Sequence, residues 1–436
     1  MSDRSNRDSK RVIVFSVLTV VSVALTALIS YSVMEQVADA KKQDIAFNKV
    51  TYQQPTHDPF AIELEEPAPP EPKQLKIAAV GDIMVHIEQI NAARENVDGK
   101  QVYDFGFMFD EIAPFLKQAD FVIGNLETTI AGEGKRGYSG YPEFNSPESL
   151  LAAIRNAGFD YVSTANNHSL DRREAGVIAT IDNLEANGLL YSGTARNQQE
   201  RDYPTIVERN GIQLGLLSYT YGTNGIPVPE GKDYLVNLID KEQMKQDIAN
   251  IRDQVDFVIV SMHYGHEYHR KPNQEQIAIS DFLVDNGADI VLGSHPHVLQ
   301  PATWKERQQM NPRTGEIENR DAFIIYSMGN FVSAQRGDYK DNGAIIYLTL
   351  TIGSDQKANI EQASFLPTYV QKFWHEGKSK YRVLAAEKSI SDYKQQKDPL
   401  LREFDYNKLQ QAMRDTRDHL MITDDQKKAF SLWQNE

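Results

Sequence analysis

The sequence predicts an α/β sandwich carried behind a single N-terminal transmembrane helix. Three observations point there. Strand-like apolar runs alternate with helical patterns from Lys76 to about Leu366, as they do in layered α/β domains. Six of those runs end directly in a polar cluster rich in Asp, Glu, Asn or His. Residues 12–34 form one uninterrupted apolar stretch with no charge in it.

The apolar stretch Val12 to Met34 is long enough to cross a bilayer, which takes about 20 residues. Arg4, Arg7, Lys10 and Arg11 precede it, so residues 1–11 are expected in the cytoplasm and everything after the helix outside, in a single-pass cell-membrane arrangement. Ala38-Asp39-Ala40 offers a cleavage site, but the apolar core is longer than that of a signal peptide. An anchor is therefore the expectation. Residues 35–74 are polar, acidic and Pro-rich, ending in Glu65-Glu66-Pro67-Ala68-Pro69-Pro70-Glu71-Pro72, which reads as a stalk or spacer that cannot form a core.

The globular part is expected over residues 75–370. Strands are predicted at Lys76–Val80, Phe121–Ile123, Tyr161–Thr164, Gln213–Tyr219, Phe257–Met262, Asp289–Leu292, Phe323–Ser327 and Ala344–Thr351. Helices are predicted at Pro147–Ala157, Arg172–Ala186, Lys241–Arg252 and Gln274–Asn286, with Asn187-Gly188 and Asn286-Gly287 as stops. Gln308 to Asp321, with Asn311-Pro312 and Thr314-Gly315, reads as a polar hairpin tip. Residues 371–436 read as a charged, partly helical tail with helix near Tyr406–Leu420.

Composition excludes some chemistry. The 436 residues carry a formal net charge of −15, which argues against a nucleic-acid partner. There is no cysteine, so disulfides, thiolate metal sites, cysteine nucleophiles and lipoprotein anchors are all excluded.

The clusters carry the chemistry. They are GDIM (Asp82), GNLE (Asn125, Glu127), NNHSLD (Asn167, His168, Asp171), HYGHE (His263, Glu267), HPH (His295, His297) and GNF (Asn330). Oxygen and nitrogen donors of these types bind hard or borderline divalent metals, and strand ends are where an α/β sheet gathers a site from distant sequence. Asp82 can hold a cation at a strand end, or simply cap the next helix. Glu127 can bridge two cations, or be an ordinary loop carboxylate. Asn167 offers a neutral amide oxygen, while His168 beside it can act as a general acid oriented and charged by Asp171; helix capping is the plainer role for Asn167 and Asp171. His295 and His297 can address different metals across Pro296, and His263 is a third imidazole. Asn125 reads as a brace for its turn, and Glu267 and Asn330 as ligand supports or substrate contacts. His86, His266 and His269 read as lying outside the ligand set.

Taken in order, GD-x-M, GN-L-E, NNH-x-x-D, H-x-G-x-E, G-x-HPH and S-x-GNF resemble the CapA/PgsA family of poly-γ-glutamate capsule biosynthesis proteins, within the calcineurin-like metallophosphoesterase superfamily. The resemblance covers roughly Lys76 to Leu366 and implies a metallophosphoesterase-like α/β/β/α sandwich. It implies Asp82, Glu127 and His297 on one metal, and Glu127, Asn167, His263 and His295 around another, with His168 as acid. One or two divalent ions (Mn, Zn, Fe or Mg) would serve as cofactors. Two departures stand out: Asp82-Ile83-Met84 lacks the His of the superfamily's D-x-H, and Glu127 in GNLE stands where GD-x-x-D has its bridging Asp. The first site is thereby poor in ligands. The implied role is a membrane-anchored extracytoplasmic protein of poly-γ-glutamate capsule synthesis or export, partnered by other synthase subunits. As a hydrolase it would attack a phosphoester or a bond of the anionic polymer with a water made nucleophilic by the metals. The other readings are a non-catalytic scaffold of the synthase complex and a general cell-surface phosphoesterase.

Overall fold

A computed structural model describes residues 70–134, 136–421 and 428–434. The expected anchor at 12–34, the N-terminal residues before it and the stalk up to residue 69 lie outside the described residues. Among the described residues no helix is long and apolar enough to cross a membrane.

In chain order the strands are β1 (Lys73–Ile83), β2 (Arg94–Val97), β3 (Lys100–Tyr103), β4 (Phe121–Leu126), β5 (Tyr161–Ser163), β6 (Leu190–Ser192), β7 (Thr205–Arg209), β8 (Ile212–Thr220) and β9 (Phe257–His263). They continue with β10 (Ile290–Ser294), β11 (Leu299–Met310), β12 (Ile317–Met328), β13 (Asn330–Val332), β14 (Asn342–Ile352), β15 (Ala358–His375), β16 (Lys378–Ala385) and β17 (Ser431–Leu432). One sheet runs β16-β15-β14-β1-β4-β5-β6, with β13 added to β1 and β17 to β15; the other runs β11-β12-β10-β9-β8-β7. Within the first, β1, β4, β5 and β6 are parallel. Within the second, β8, β9, β10 and β12 are parallel. The carboxyl ends of those strands are where the site residues lie.

The layering follows from which way the apolar side chains point. Alternate residues of β1, Leu75, Ile77 and Ala79, join Ile259 of β9, Ile290 and Leu292 of β10 and Ile346 of β14 in one core between the sheets. Their neighbours Ala78 and Val80 face a second core with the helical residues Ile90, Phe109 and Ile154. On the other sheet Val258, Val260 and Val291 pack against Met244, Ile248 and Leu283 from helices Lys241–Arg252 and Gln274–Asp285. Strands covered on both faces read as unbroken apolar runs, and each fully buried Val, Leu or Ile contributes about 1.5–3 kcal/mol. The domain is thus α/β, with helices outside two facing sheets.

Local signals set the helix ends. Asn273 accepts from the Gln276 amide while Gln276 reaches back, a capping box for Gln274–Asp285. Asp240 caps Lys241–Arg252 through the Gln243 amide. Gly158, at φ +112°, ends Ser149–Ala157.

Several expectations shift. The hairpin between β11 and β12 is longer than its polar sequence suggests: Gln308, Gln309 and Met310 pair with Asn319, Glu318 and Ile317, leaving 311–316 as the turn. Backbone pairing does not need apolar side chains, and the polar side chains on these strands have their own buried partner. Arg307 and Arg320, with Arg252, surround Asp289 at 2.6, 3.1 and 2.6 Å. The segment 371–436 is not a separate tail where it is described. Residue 370 falls inside β15, and β16 pairs with that strand from Thr368↔Ala385 to His375↔Lys378. Helices Ala386–Lys394 and Glu403–Leu420 then pack through Ala386, Leu409 and Ala412 on Tyr369 and Leu384, while Leu420 and Phe430 enter the core between the sheets.

Candidate metal centre

The two sheets bring their strand ends together at one buried place. Asp82 leaves β1 beside Asn125 of β4 and Asn330 of β13 in the pairing register. It can do so because residue 81 is glycine: a Cβ there would stand 1.8 Å from the Gly329 carbonyl oxygen, the same carbonyl that accepts from the Asp82 amide at 2.9 Å. Asp82 Oδ1 accepts from Asn125 Nδ2 at 2.8 Å, and Oδ2 lies 2.9 Å from His297 Nδ1. Asn125 is held in turn by Ser163, whose hydroxyl donates to Asn125 Oδ1 at 2.8 Å.

Glu127 sits at the middle. It is fully buried, and neither carboxylate oxygen has a hydrogen-bond partner among the described residues. Its Oε1 lies 3.5 Å from His263 Nε2 and 3.8 Å from His297 Nε2. Donor atoms of Asp82, Glu127 and His297 fall within 4.8 Å of one another, and so do those of Glu127, His263 and His295. Asn167 Oδ1 lies 2.9 Å from His263 Nε2, which puts an amide oxygen beside the second group.

Electrostatics make the place unfavourable for Glu127 by itself. Burial, and next the charge of Asp82, push its carboxyl well above the usual carboxylate range. Burial and the neighbouring His295 hold His263 well below the ordinary imidazole range, and burial with His297 brings His295 down to about 3. His263 and His295 are therefore neutral, the form that donates a lone pair to a metal. His295 and His297 also hold positive φ values of +96° and +57°, a strained backbone for a non-glycine residue that the surrounding fold must impose.

His168 stands beside this cluster. Its Nδ1 lies 2.7 Å from Asp171 Oδ2, which also accepts from the Phe144 amide at 2.6 Å. The Phe144 ring meets the His168 ring edge-on at 4.6 Å between centroids. Asn166 fixes the turn: its Oδ1 accepts from the His168 amide at 3.0 Å, and its Nδ2 donates to the Leu126 carbonyl at 2.8 Å.

The remaining candidates sit around it. Glu267 is exposed, and its carboxylate groups with His295 and His297. Asn330 turns its Nδ2 to Gln335 Oε1 and the Lys340 carbonyl, at 3.1 and 2.8 Å, so its side chain ties a loop. His86 packs on Phe144 at 5.1 Å and falls in neither group; His266 and His269 are exposed and contact each other. The strand-end pattern does not reveal Ser163, Asn166, Asn224 or the two tyrosines at the rim. Tyr221 lies 4.7 Å from the His295 ring and Tyr268 lies 6.0 Å from that of His297. A cavity of about 570 Å³, lined by Tyr191, Arg196, Tyr203 and Leu217, lies at the edge strands β6 and β7 and shares no residue with the cluster.

The donor set fits a divalent cation. Two overlapping groups of carboxylate and imidazole share an unpartnered buried carboxylate, and a charge between them would supply what Glu127 lacks. Both groups use oxygen and nitrogen donors alone, a mixture that suits Mn, Zn or Fe better than Mg, which takes oxygen.

Residues 76–335 match the family described as bacterial capsule synthesis protein PGA_cap. The capsule biosynthesis protein CapA of Bacillus anthracis is 28% identical over 287 residues, 63% of this chain and 64% of that protein. The PGA biosynthesis protein CapA of Bacillus subtilis is 26% identical over 272 residues, 60% of this chain and 64% of that one. The matches thus span just under two thirds of either relative. Among solved structures, the NAD nucleotidase of Haemophilus influenzae aligns with a TM-score of 0.41 at 13% identity, covering 81% of this chain and 65% of that one.

Proposed function

The chain belongs to the bacterial capsule synthesis protein family, and on that premise we propose that it is a membrane-anchored, metal-dependent hydrolase of capsule polymer synthesis or export. The layered α/β domain would be a metallophosphoesterase-like sandwich. Asp82, Glu127 and His297 would hold one divalent cation, and Glu127, Asn167, His263 and His295 a second, with Glu127 between them. The observation that carries the reading is Glu127 itself: a buried carboxylate without a hydrogen-bond partner, flanked by neutral imidazoles. Such a group is costly in a fold unless something charged answers it.

Cations there would supply Lewis-acid chemistry, polarising a phosphoryl or acyl oxygen and making a water nucleophilic near neutral pH. The chain's own residues do the positioning and the proton transfer. Asp171 occupies His168 Nδ1, so Nε2 is the nitrogen that gives a proton to the leaving atom. Tyr221 and Tyr268, 48% and 45% exposed, offer flat walls on either side of the histidines for a substrate to lie against.

The Bacillus subtilis relative is a PGA biosynthesis protein, which points to poly-γ-glutamate as the polymer, with other synthase subunits as partners. The apolar stretch 12–34 would hold the domain at the outer face of the membrane. The test is hydrolysis of a γ-glutamyl oligomer and of a chromogenic phosphodiester by the full chain in detergent, before and after chelation. Turnover lost with the metal and restored by it is expected. Metal-dependent polymer binding without turnover would favour a scaffold. Hydrolysis of the phosphodiester alone would favour a general surface phosphoesterase. Protease added to intact cells should remove the domain and spare residues 1–11; full protection would remove the outward topology.

A further inference from the structure

The loop after β8 carries one side chain that reaches both halves of the site. Thr223-Asn224-Gly225-Ile226 is a tight turn in which Asn224 and Gly225 take φ values of +50° and +74°, and the Ile226 amide donates to the Thr223 carbonyl at 2.9 Å. Asn-Gly suits two consecutive positive φ angles, so the turn alone would account for an asparagine here. The side chain goes further. Asn224 Oδ1 accepts from Asn167 Nδ2 at 3.2 Å, and Asn224 Nδ2 lies 3.4 Å from His168 Nε2.

Donor and acceptor directions make this a one-way chain. Asp171 Oδ2 faces His168 Nδ1, so the ring turns its Nε2 edge toward Asn224. Asn224 turns its oxygen to the Asn167 NH₂ and its own NH₂ edge to His168. Asn167 must therefore turn its own NH₂ outward, and its oxygen points inward, 2.9 Å from His263 Nε2. Rotating either amide by half a turn would set NH₂ against NH₂ or oxygen against oxygen.

We infer that Asn224 is the positioning residue of the centre: it locks the Asn167 oxygen toward the cation and holds His168 Nε2 beside it. This rests on the metal-centre reading above. Partners of this kind are worth about 10–100-fold in metal affinity.

Calorimetric titration of the full chain with Mn²⁺ tests it, using Asn224→Gly and Asn224→Asp. Glycine keeps the turn and removes the amide, so Asn224→Gly should bind Mn²⁺ about 10–100-fold more weakly while melting at the wild-type temperature without metal. Aspartate keeps an acceptor for Asn167 Nδ2, so Asn224→Asp should bind at least as tightly as wild type. Wild-type affinity in Asn224→Gly, an Asn224→Asp variant as weak as Asn224→Gly, or a large loss of metal-free stability in Asn224→Gly would each overturn the assignment alone. A wild-type chain that takes up no Mn²⁺ under the same conditions would remove the centre, and this role with it.

Discussion

Replacing Glu127 by glutamine should move two properties in opposite directions. In the metal-free fold Glu127 is a buried acid whose ionised oxygens accept no hydrogen bond, raised by burial first and by Asp82 second. A carboxyl whose folded pKa lies above its ordinary 4.5 binds more protons folded than unfolded, so the metal-free protein loses stability as pH rises past that value. Glu127→Gln has no such group. Glutamine has no proton to lose, so the variant escapes the cost of holding Glu127 protonated, and the gain should be larger at pH 8 than at pH 5. Metal binding changes the sign. With free metal a thousandfold above Kd, binding to the folded state alone adds about 4 kcal/mol. Losing the shared carboxylate should weaken affinity at least as much as losing a supporting contact, about a hundredfold, which leaves about 1.4 kcal/mol. At about 1–3 °C per kcal/mol for a domain of this size, calorimetry resolves both effects. The variant should melt higher than wild type without metal and gain much less from added Mn²⁺ or Zn²⁺. An equal metal-induced rise in both proteins, or a metal-free variant that melts lower, would refute the reasoning.

Four other variants probe different parts of the account. His168→Ala should keep bound metal and lose about 10²–10⁴-fold in turnover, less with a nitrophenolate leaving group; equal losses for good and poor leaving groups would contradict the acid role. The double change His295→Ala, His297→Ala should lower bound metal sharply in a folded domain, as elemental analysis with circular dichroism would show, and unchanged stoichiometry would make both residues structural. Burial pushes the Asp289 carboxyl up, but Arg320, Arg252 and Arg307 hold it well below the usual range. Asp289→Asn should therefore cost about 3–5 kcal/mol in urea unfolding by stranding buried guanidinium groups, and a loss under about 1 kcal/mol would show that the cluster does not hold the sheet end. Gly81→Ala drives a Cβ into the Gly329 carbonyl and should reduce metal uptake although no ligand is changed; full uptake would show that Asp82 tolerates a displaced strand end.

The convergence of Asp82, Glu127, Asn167, His263, His295 and His297 was legible because each lies at or just beyond the end of a strand buried on both faces. Such strands stand out as apolar runs, and the donor types that follow are few. What could not be read depends on pairing between distant segments. Nothing near Ser163 says that it holds Asn125, and Asn224 looks like an ordinary Asn-Gly turn until the fold sets it against Asn167. Asn330 shows the converse: its motif suggests the site, yet its side chain ties the 335–340 loop. The arginine-bearing strands flanking the hairpin turn, and β15 and β16 past residue 370, stayed hidden because their pairing is by backbone and their polar side chains are answered across the fold.

The measurement that bears most directly on the central claim is metal content by elemental analysis, on the full chain purified without chelator and again after stripping and reloading. One or two divalent ions per chain are expected, with Glu127→Gln and the His295, His297 double variant falling below wild type. A folded wild-type chain that holds no divalent ion from any of Mn, Zn, Fe or Mg would contradict it.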